Sequence, residues 1–226
     1  MQDLTTQRLS DIVRTSPSSA RILEKYHLDF CCKGRRTLQE ACDEKHLSAN
    51  DISNELEASM KPMDAEAAMF TAMTPAELCQ YIVARHHVFV KQNIPAILGH
   101  LEKVATKHGD RYPNMVKVYQ LFQEVSNELL QHLQKEELIL FPMIIKNNGQ
   151  PSRDYANPVQ VMEMEHEHAG ELLDLIRQLT KDYTAPEDAC TTHRVSLEEL
   201  RMFEEDLHKH VYLENHLLFP AVAALN

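Results

Sequence analysis

The chain has 226 residues, enough for one or two domains and a core that folds without staples. Its formal charge is −11, from 23 Lys and Arg against 34 Asp and Glu. That surface repels phosphate backbones, so no nucleic-acid partner is expected. Apolar residues make up 43%, and no uninterrupted run approaches the roughly 20 residues of a membrane span, so no membrane partner is expected either.

The opening stretch, MQDLTTQRLSDIV, lacks a basic patch followed by an apolar run, so no secretory signal is expected. The five cysteines then read as reduced thiols and the chain as cytoplasmic. Glycine occurs only 5 times, well under the usual share of about 7%, and Trp is absent. That composition points to helices and leaves no Gly-rich loop to cradle a phosphate or dinucleotide. Histidine occurs 13 times, with seven copies from His132 onward, a surplus that points to metal.

In chain order, residues 1–62 read as short helices broken by caps. Leu4, Leu9, Ile12 and Val13 form an amphipathic stretch, and Ser16-Pro17 opens a second helix. Thr37-Leu38-Gln39-Glu40 has the form of a capping box, and Ser48 to Asp51 nearly does. Asp29-Phe30-Cys31-Cys32-Lys33-Gly34-Arg35-Arg36 reads as a loop. Lys61-Pro62 breaks the pattern and marks the expected boundary between a 1–62 domain and a 63–226 domain. Charge agrees: residues 1–62 hold 9 basic and 10 acidic groups, against 14 and 24 in the remainder.

From residue 75 the pattern predicts four long helices. Thr74-Pro75-Ala76-Glu77 is a further capping box, after which Leu78, Ile82, Val83, Val90, Ile94, Ile97 and Leu101 keep a period near 3.6. The second helix runs from about 113 to 146 and stops at Asn147-Asn148-Gly149-Gln150-Pro151. The third follows Pro158 to about Thr180, and the fourth begins near Pro186 and continues to the C-terminus. No strand signal competes. The fold class is all-α, an up-down-up-down four-helix bundle behind a small helical N-terminal domain.

The strongest signal is an internal repeat. His132-x3-Glu136-x4-Phe141-Pro142 recurs as His210-x3-Glu214-x4-Phe219-Pro220, offset by 78 residues. An i, i+4 pair shares a helix face, so His and Glu can grip one metal centre. Each copy follows a helix that also carries histidine, Arg85-His86-His87 and Glu165-His166-Glu167-His168. His87 has Val83, Val90 and Ile94 on its face, whereas that of His86 holds Asn93. His166 shares a stripe with Met162, Ala169, Leu173 and Ile176, and His168 is nearly as well placed beside Met164, Leu172 and Leu175. Repeat spacing favours His87 and His166, 79 residues apart, and leaves the choice open.

Four His and two Glu are too many ligands for one zinc, and no Cys joins them. They suit two metals, each held by two imidazoles, with both carboxylates and an oxo or hydroxo group bridging and about one position left open. Iron is the expected metal, manganese a lesser one. Glu165, beside His166, and Glu128, one turn before His132, are candidates to orient imidazoles or relay protons. His27, His46, His100, His108 and His193 read as surface or capped residues, and His208 and His216 as solvated. Glu137, Glu198, Glu199, Glu204 and Glu205 read as exposed charge, and Met143, Met162 and Met164 as core filler.

The sequence resembles the iron–sulfur cluster repair di-iron proteins, whose C-terminal part is a hemerythrin-like bundle. The resemblance spans essentially the whole chain. It rests on Asp29-Phe30-Cys31-Cys32-Lys33-Gly34, His132-x3-Glu136-Glu137-x3-Phe141-Pro142, Met162-Glu163-x-Glu165-His166-x2-Ala169-Gly170-Glu171-Leu172-Leu173, and His210-x3-Glu214-Asn215-x3-Phe219-Pro220. It implies two iron ions per chain, with ligands at His87, His132, Glu136, His166, His210 and Glu214. A bridge between adjacent cysteines is strained, and Lys33, Arg35 and Arg36 are expected to favour thiolates at Cys31 and Cys32. The resemblance makes that pair candidate thiols for redox, metal or nitric oxide exchange. Cys42, Cys79 and Cys190 receive no chemistry.

The function so implied is repair of iron–sulfur clusters damaged by nitric oxide or peroxide, by donating iron or handling nitric oxide. The expected partners are damaged iron–sulfur proteins, nitric oxide and oxygen, with a second copy pairing through the nearly neutral N-terminal domain. Two alternatives stand beside it: a module that binds or senses oxygen or nitric oxide reversibly, and a di-iron nitric oxide reductase.

Overall fold

The computed structural model describes residues 3–60 and 65–223, with the side chain of Glu66 outside the description. The expected boundary at Lys61-Pro62 lies outside the described residues. Five short helices come first: α1 (Leu9–Thr15), α2 (Ala20–Lys25), α3 (Leu38–Glu44), α4 (Ala49–Ser59) and α5 (Ala65–Ala72). Four long rods follow: α6 (75–108), α7 (113–146), α8 (Ala156–Leu179) and α9 (191–222). No strand occurs among the described residues.

Local chemistry sets these ends. Thr37 and Thr74 each accept from the backbone N–H three residues on, while Glu40 and Glu77 reach back to the cap residue's own N–H. Ser48 accepts from the N–H of Asp51. At the end of α7 the N–H of Gly149 bonds to the carbonyl of Ile144, with Gly149 at a φ of 68° that glycine adopts without strain. α8 starts at Ala156, so Pro158 sits in a first turn that needs no donor from it. α9 starts at Thr191, later than the pattern predicts. The Arg194 side chain donates to the carbonyls of Pro186, Glu187 and Ala189 and holds that stretch as a loop.

α6 packs on α7 and on α9, and α7 packs on α8. Contacts from His86 to Asp206 and from His100 to Glu199 set α6 antiparallel to α9. Those from His132 to Glu165 and from Asn114 to Leu179 set α7 antiparallel to α8. The apolar core is continuous from Leu9, Ile12, Leu23 and Phe30 into the bundle, where Phe122 and Phe203 meet edge to face at 5.2 Å. Phe30 packs edge-on against Tyr212, whose hydroxyl donates to the carbonyl of Ser10 at 3.2 Å.

Three of the rods are interrupted by one π-helical turn each: Val83–His87, Glu136–Leu140 and Glu214–Leu218. Each is closed by an i→i−5 bond, from Val88 to Val83, Phe141 to Glu136 and Phe219 to Glu214. A proline inside an α-helix removes a donor and drives its ring against the carbonyl four residues earlier. Two of the widened turns, Glu136–Leu140 and Glu214–Leu218, stand just before Pro142 and Pro220 and make room for those rings. π-turns of this kind collect at functional sites.

Candidate metal centre

All six predicted ligands meet at the middle of the bundle. His87, Glu136, His210 and Glu214 form one set of donor atoms, and His132, Glu136, His166 and Glu214 form the other, each within 4.8 Å. Both carboxylates belong to both sets. Oε2 of Glu136 is 3.4 Å from Nε2 of His87 and from Nε2 of His132. The two oxygens of Glu214 divide between His210 at 2.9 Å and His166 at 3.0 Å. Every one of these side chains is buried.

The repeat accounts for its own letters. His and Glu supply donors. The residue after each Glu braces an imidazole from the preceding rod: Glu137 accepts from Nδ1 of His87 at 2.8 Å, and Asn215 from Nδ1 of His166 at 2.9 Å. Phe141 lies flat against His87, and Phe219 against His166. Proline follows the π-turn that each Glu opens. Glu165 accepts from Nδ1 of His132 at 2.9 Å and is itself paired to Lys135. Nδ1 of His210 has no hydrogen-bond partner.

A metal fits this pocket on its own evidence. Oε1 of Glu136 is buried without a hydrogen-bond partner, and Oε2 of Glu136 and of Glu214 lie near imidazole nitrogens but form no hydrogen bond with them, a costly state for a carboxylate. Three imidazoles spend their Nδ1 hydrogens on the bracing acceptors, which turns Nε2 inward as the nitrogen a metal could take. The Nε2 atoms face each other in pairs, His87 with His210 at 3.2 Å and His132 with His166 at 3.0 Å. A cation between each pair satisfies nitrogens and carboxylates together. Burial opposes charge on Glu136 and Glu214, but the imidazoles outweigh it and hold both carboxyls below the usual range. Burial likewise opposes protonation of His132, and Glu136 and Glu165 outweigh it, lifting that imidazole to about 10. The hydrogen bond from His132, with Lys135 beside it, holds Glu165 down at about 2.

The structure departs from several expectations. Glu128 is half exposed, 3.4 Å from the exposed His168, and touches none of the buried imidazoles. Val125 and Leu129 hold the inward stripe at that level, and Glu128 stands beside them on the solvent side. Glu137 braces the His87 imidazole instead of facing solvent. Glu204 is buried against Arg177, and His193 is buried as well. His208 packs edge-on against Phe30 beside Glu24, and His216 donates to the carbonyl of Cys31 at 2.7 Å.

That last contact belongs to a seam joining the cysteine loop to the centre. The carbonyl of Cys31 also accepts from Nδ2 of Asn215 at 3.2 Å, and the Cys32 thiol points to the carbonyl of His166 at 3.6 Å. Gly34 allows the loop to lie this close, since a Cβ there would stand 2.8 Å from Nε2 of His216. The expected thiolate at Cys31 is not favoured. Its hydrogen bond to Cys32, its burial and the nearby Asp29 carboxylate push the thiol well up. Two of the three basic neighbours are engaged elsewhere, Arg35 with Glu163 and Arg36 with Glu44.

A four-helix bundle with this His and Glu constellation is a hemerythrin-like cation-binding protein. Residues 79–222 match the hemerythrin HHE cation binding domain, and residues 5–60 match the ScdA_N domain of unknown function (DUF542). The chain is 35% identical over 217 residues to the probable iron-sulfur cluster repair protein of Haemophilus influenzae, covering 96% of each. It is 36% identical over 220 residues to the iron-sulfur cluster repair protein YtfE of Cronobacter sakazakii, again 96% of each. It is 34% identical to YtfE of Yersinia pseudotuberculosis over 96% of this chain and 97% of that one. The chain belongs to the iron–sulfur cluster repair family. No helix among the described residues is long and apolar enough to cross a membrane.

Proposed function

We propose that this protein binds two iron ions per chain and serves the repair of damaged iron–sulfur clusters by donating iron from that centre. One observation carries the reading: two four-donor sets share Glu136 and Glu214, which suits a pair of ions with both carboxylates spanning them. Four imidazoles and two carboxylates favour iron over a structural zinc. The relatives' names, iron-sulfur cluster repair protein, supply the process.

When bound, iron supplies exchangeable coordination positions and one-electron redox chemistry. The chain's residues control access to it. Glu137, Glu165 and Asn215 hold the Nδ1 hydrogens of His87, His132 and His166 and so keep each Nε2 aimed inward. Phe141 and Phe219 cover two of the imidazoles and exclude water from that side. His210 lacks such a brace, so its imidazole is the least firmly oriented of the four that would hold iron. Imidazole and carboxylate ligands bind metal only when deprotonated, so acidification favours release.

The test begins with iron per chain and an optical spectrum for the wild type and Glu214→Ala. The expected result is two irons, falling to less than one in the variant. The loaded protein is then mixed anaerobically with a cluster enzyme inactivated by nitric oxide. Recovery of activity above a free-iron control supports donation. Near-zero iron in both proteins, or recovery no better than free iron, overturns the reading.

A further inference from the structure

Outside the bundle centre, one other cluster of metal-ligating side chains is buried or half-buried among the described residues: Asp29, Cys31 and Cys32, whose donor atoms all lie within 4.8 Å of one another. The spacing is specific. Sγ of Cys31 is 3.8 Å from Sγ of Cys32 and 3.3 Å from Oδ1 of Asp29. A tetrahedral ion with bonds of about 2.3 Å to sulfur and about 2.0 Å to oxygen sets its sulfurs about 3.8 Å apart and its sulfur and oxygen about 3.5 Å apart. The three donors therefore already stand close to three corners of such a site.

The carboxylate is also held in place. Oδ1 of Asp29 accepts from the backbone N–H of Cys31 at 3.0 Å and of Cys32 at 2.9 Å, the kind of outer hydrogen bonding that orients a ligating carboxylate. Those bonds turn the chain so that both thiols and the carboxylate converge. All three residues line a cavity of about 210 Å³ that also reaches His166 and His208. Six carboxylates and four Lys or Arg side chains line it, a balance that draws cations inward.

We propose that Asp29, Cys31 and Cys32 form a second metal site, for a single divalent ion of the zinc or ferrous class, with its fourth position open to this cavity. Two thiolates and one carboxylate select that class over calcium or magnesium. Three protein ligands and an open position define an exchangeable site rather than a structural one. Cys32 contacts the backbone of His166, so an ion here sits beside the bundle centre; its use as a staging position for donated iron rests on the function proposed above, whereas the site itself does not.

Cobalt(II) is the probe, titrated anaerobically into the reduced, metal-free, full-length protein. The expected result is a thiolate-to-cobalt charge-transfer band whose final intensity is that of one thiolate-bound cobalt per chain, reached at one equivalent where the bundle centre is disabled and at up to three where it also takes cobalt. The band is lost in Cys31→Ser and in Cys32→Ser. Asp29→Asn retains a hydrogen-bonding oxygen for the two amides, and its cobalt affinity falls by roughly tenfold. In a Glu136→Ala/Glu214→Ala background, X-ray absorption at the cobalt edge finds two sulfur neighbours at about 2.3 Å. Should that background not fold, the difference spectrum between wild type and Cys31→Ser gives the same readout.

Absence of the band at saturating cobalt overturns the site, as does a band that survives loss of either thiol. Half an equivalent bound by a dimer in sedimentation also overturns it, because the thiols would then come from two copies. A thiolate band with no iron in the bundle leaves this site standing and removes the function proposed above. Iron in the bundle with no thiolate band does the reverse.

Discussion

The imidazole of His166 donates from Nδ1 to the side-chain oxygen of Asn215, 2.9 Å away, and the amide nitrogen of Asn215 donates in turn to the carbonyl of Cys31. The second bond fixes which way the amide points, and the first fixes which nitrogen of His166 faces the Glu214 carboxylate at the middle of the bundle. One side chain thus ties a candidate ligand to the cysteine loop. Asn215→Leu keeps the volume and removes both bonds, leaving a buried imidazole N–H unpaired. The expected cost is about 1–3 kcal/mol in stability, read from denaturant midpoints. Metal affinity falls about 10–100-fold, read by chelator competition. An unchanged affinity would show that the brace is dispensable.

Arg177 and Glu204 form a buried ion pair, with side chains only 14% and 6% exposed, and Arg177 also donates to Nδ1 of His27 at 2.7 Å. The pair joins α8, α9 and the turn after α2. Removing one partner strands the other, so Glu204→Leu or Arg177→Met alone should cost about 3–5 kcal/mol. The double variant replaces both charges with apolar volume and should recover most of that loss. Denaturant unfolding of the four proteins closes the cycle. Additive losses would mean that the two side chains do not act as a pair.

These two examples mark what the sequence could and could not reveal. The four rods were legible because burial writes itself along a helix at a period near 3.6. The two H-x3-E pairs were legible because i, i+4 fixes a shared face without knowledge of any other element. Glu137 and Asn215 stand inside the repeat, yet their roles depend on imidazoles supplied by α6 and α8, which the repeat alone does not reveal. Glu204 looked like surface charge because its partner Arg177 lies on another helix. Glu128 shows the limit of that rule: a shared face does not fix depth, and Val125 and Leu129 fill the inward positions at its level. The π-turns leave hardly any trace in hydrophobic periodicity, and their one local sign is the repeated Phe-Pro.

In the metal-free chain the imidazole of His132 stands at about 10, above its ordinary value, and Glu165 at about 2, below its own. A raised histidine stabilises the fold fully below its unfolded value of about 6.5, and that contribution is lost as pH rises through about 10. A depressed carboxyl stabilises above its unfolded value of about 4.3 and loses that contribution only as pH falls through about 2. The metal-free protein should therefore lose stability steadily from pH 6.5 to 10. The loaded protein should not, because metal has replaced the proton on Nε2. Thermal unfolding of both forms across that window checks the contrast. Loading in weak buffer near pH 7.5 should also release about one proton from His132. Parallel profiles with no proton release would place the metal elsewhere.

Cys79 is fully buried, and burial together with the Glu214 and Glu136 charges pushes its thiol up to about 12. At pH 8 only about one molecule in 10,000 then carries a thiolate there, and the reagent cannot reach it without an opening of the bundle. Cys42 is buried too, whereas Cys32 and Cys190 are partly exposed. Iodoacetamide on the native, metal-free protein should label Cys32 and Cys190 first. Cys79 and Cys42 should follow at least about a hundredfold more slowly, at a rate set by unfolding free energy rather than by reagent. Peptide mass spectrometry over time gives the order. Denaturant just below the unfolding midpoint should abolish the protection of Cys79. Rapid labelling of Cys79 in the folded protein would mean that solvent enters beside Glu136 and Glu214, and that the centre is open on its α6 side.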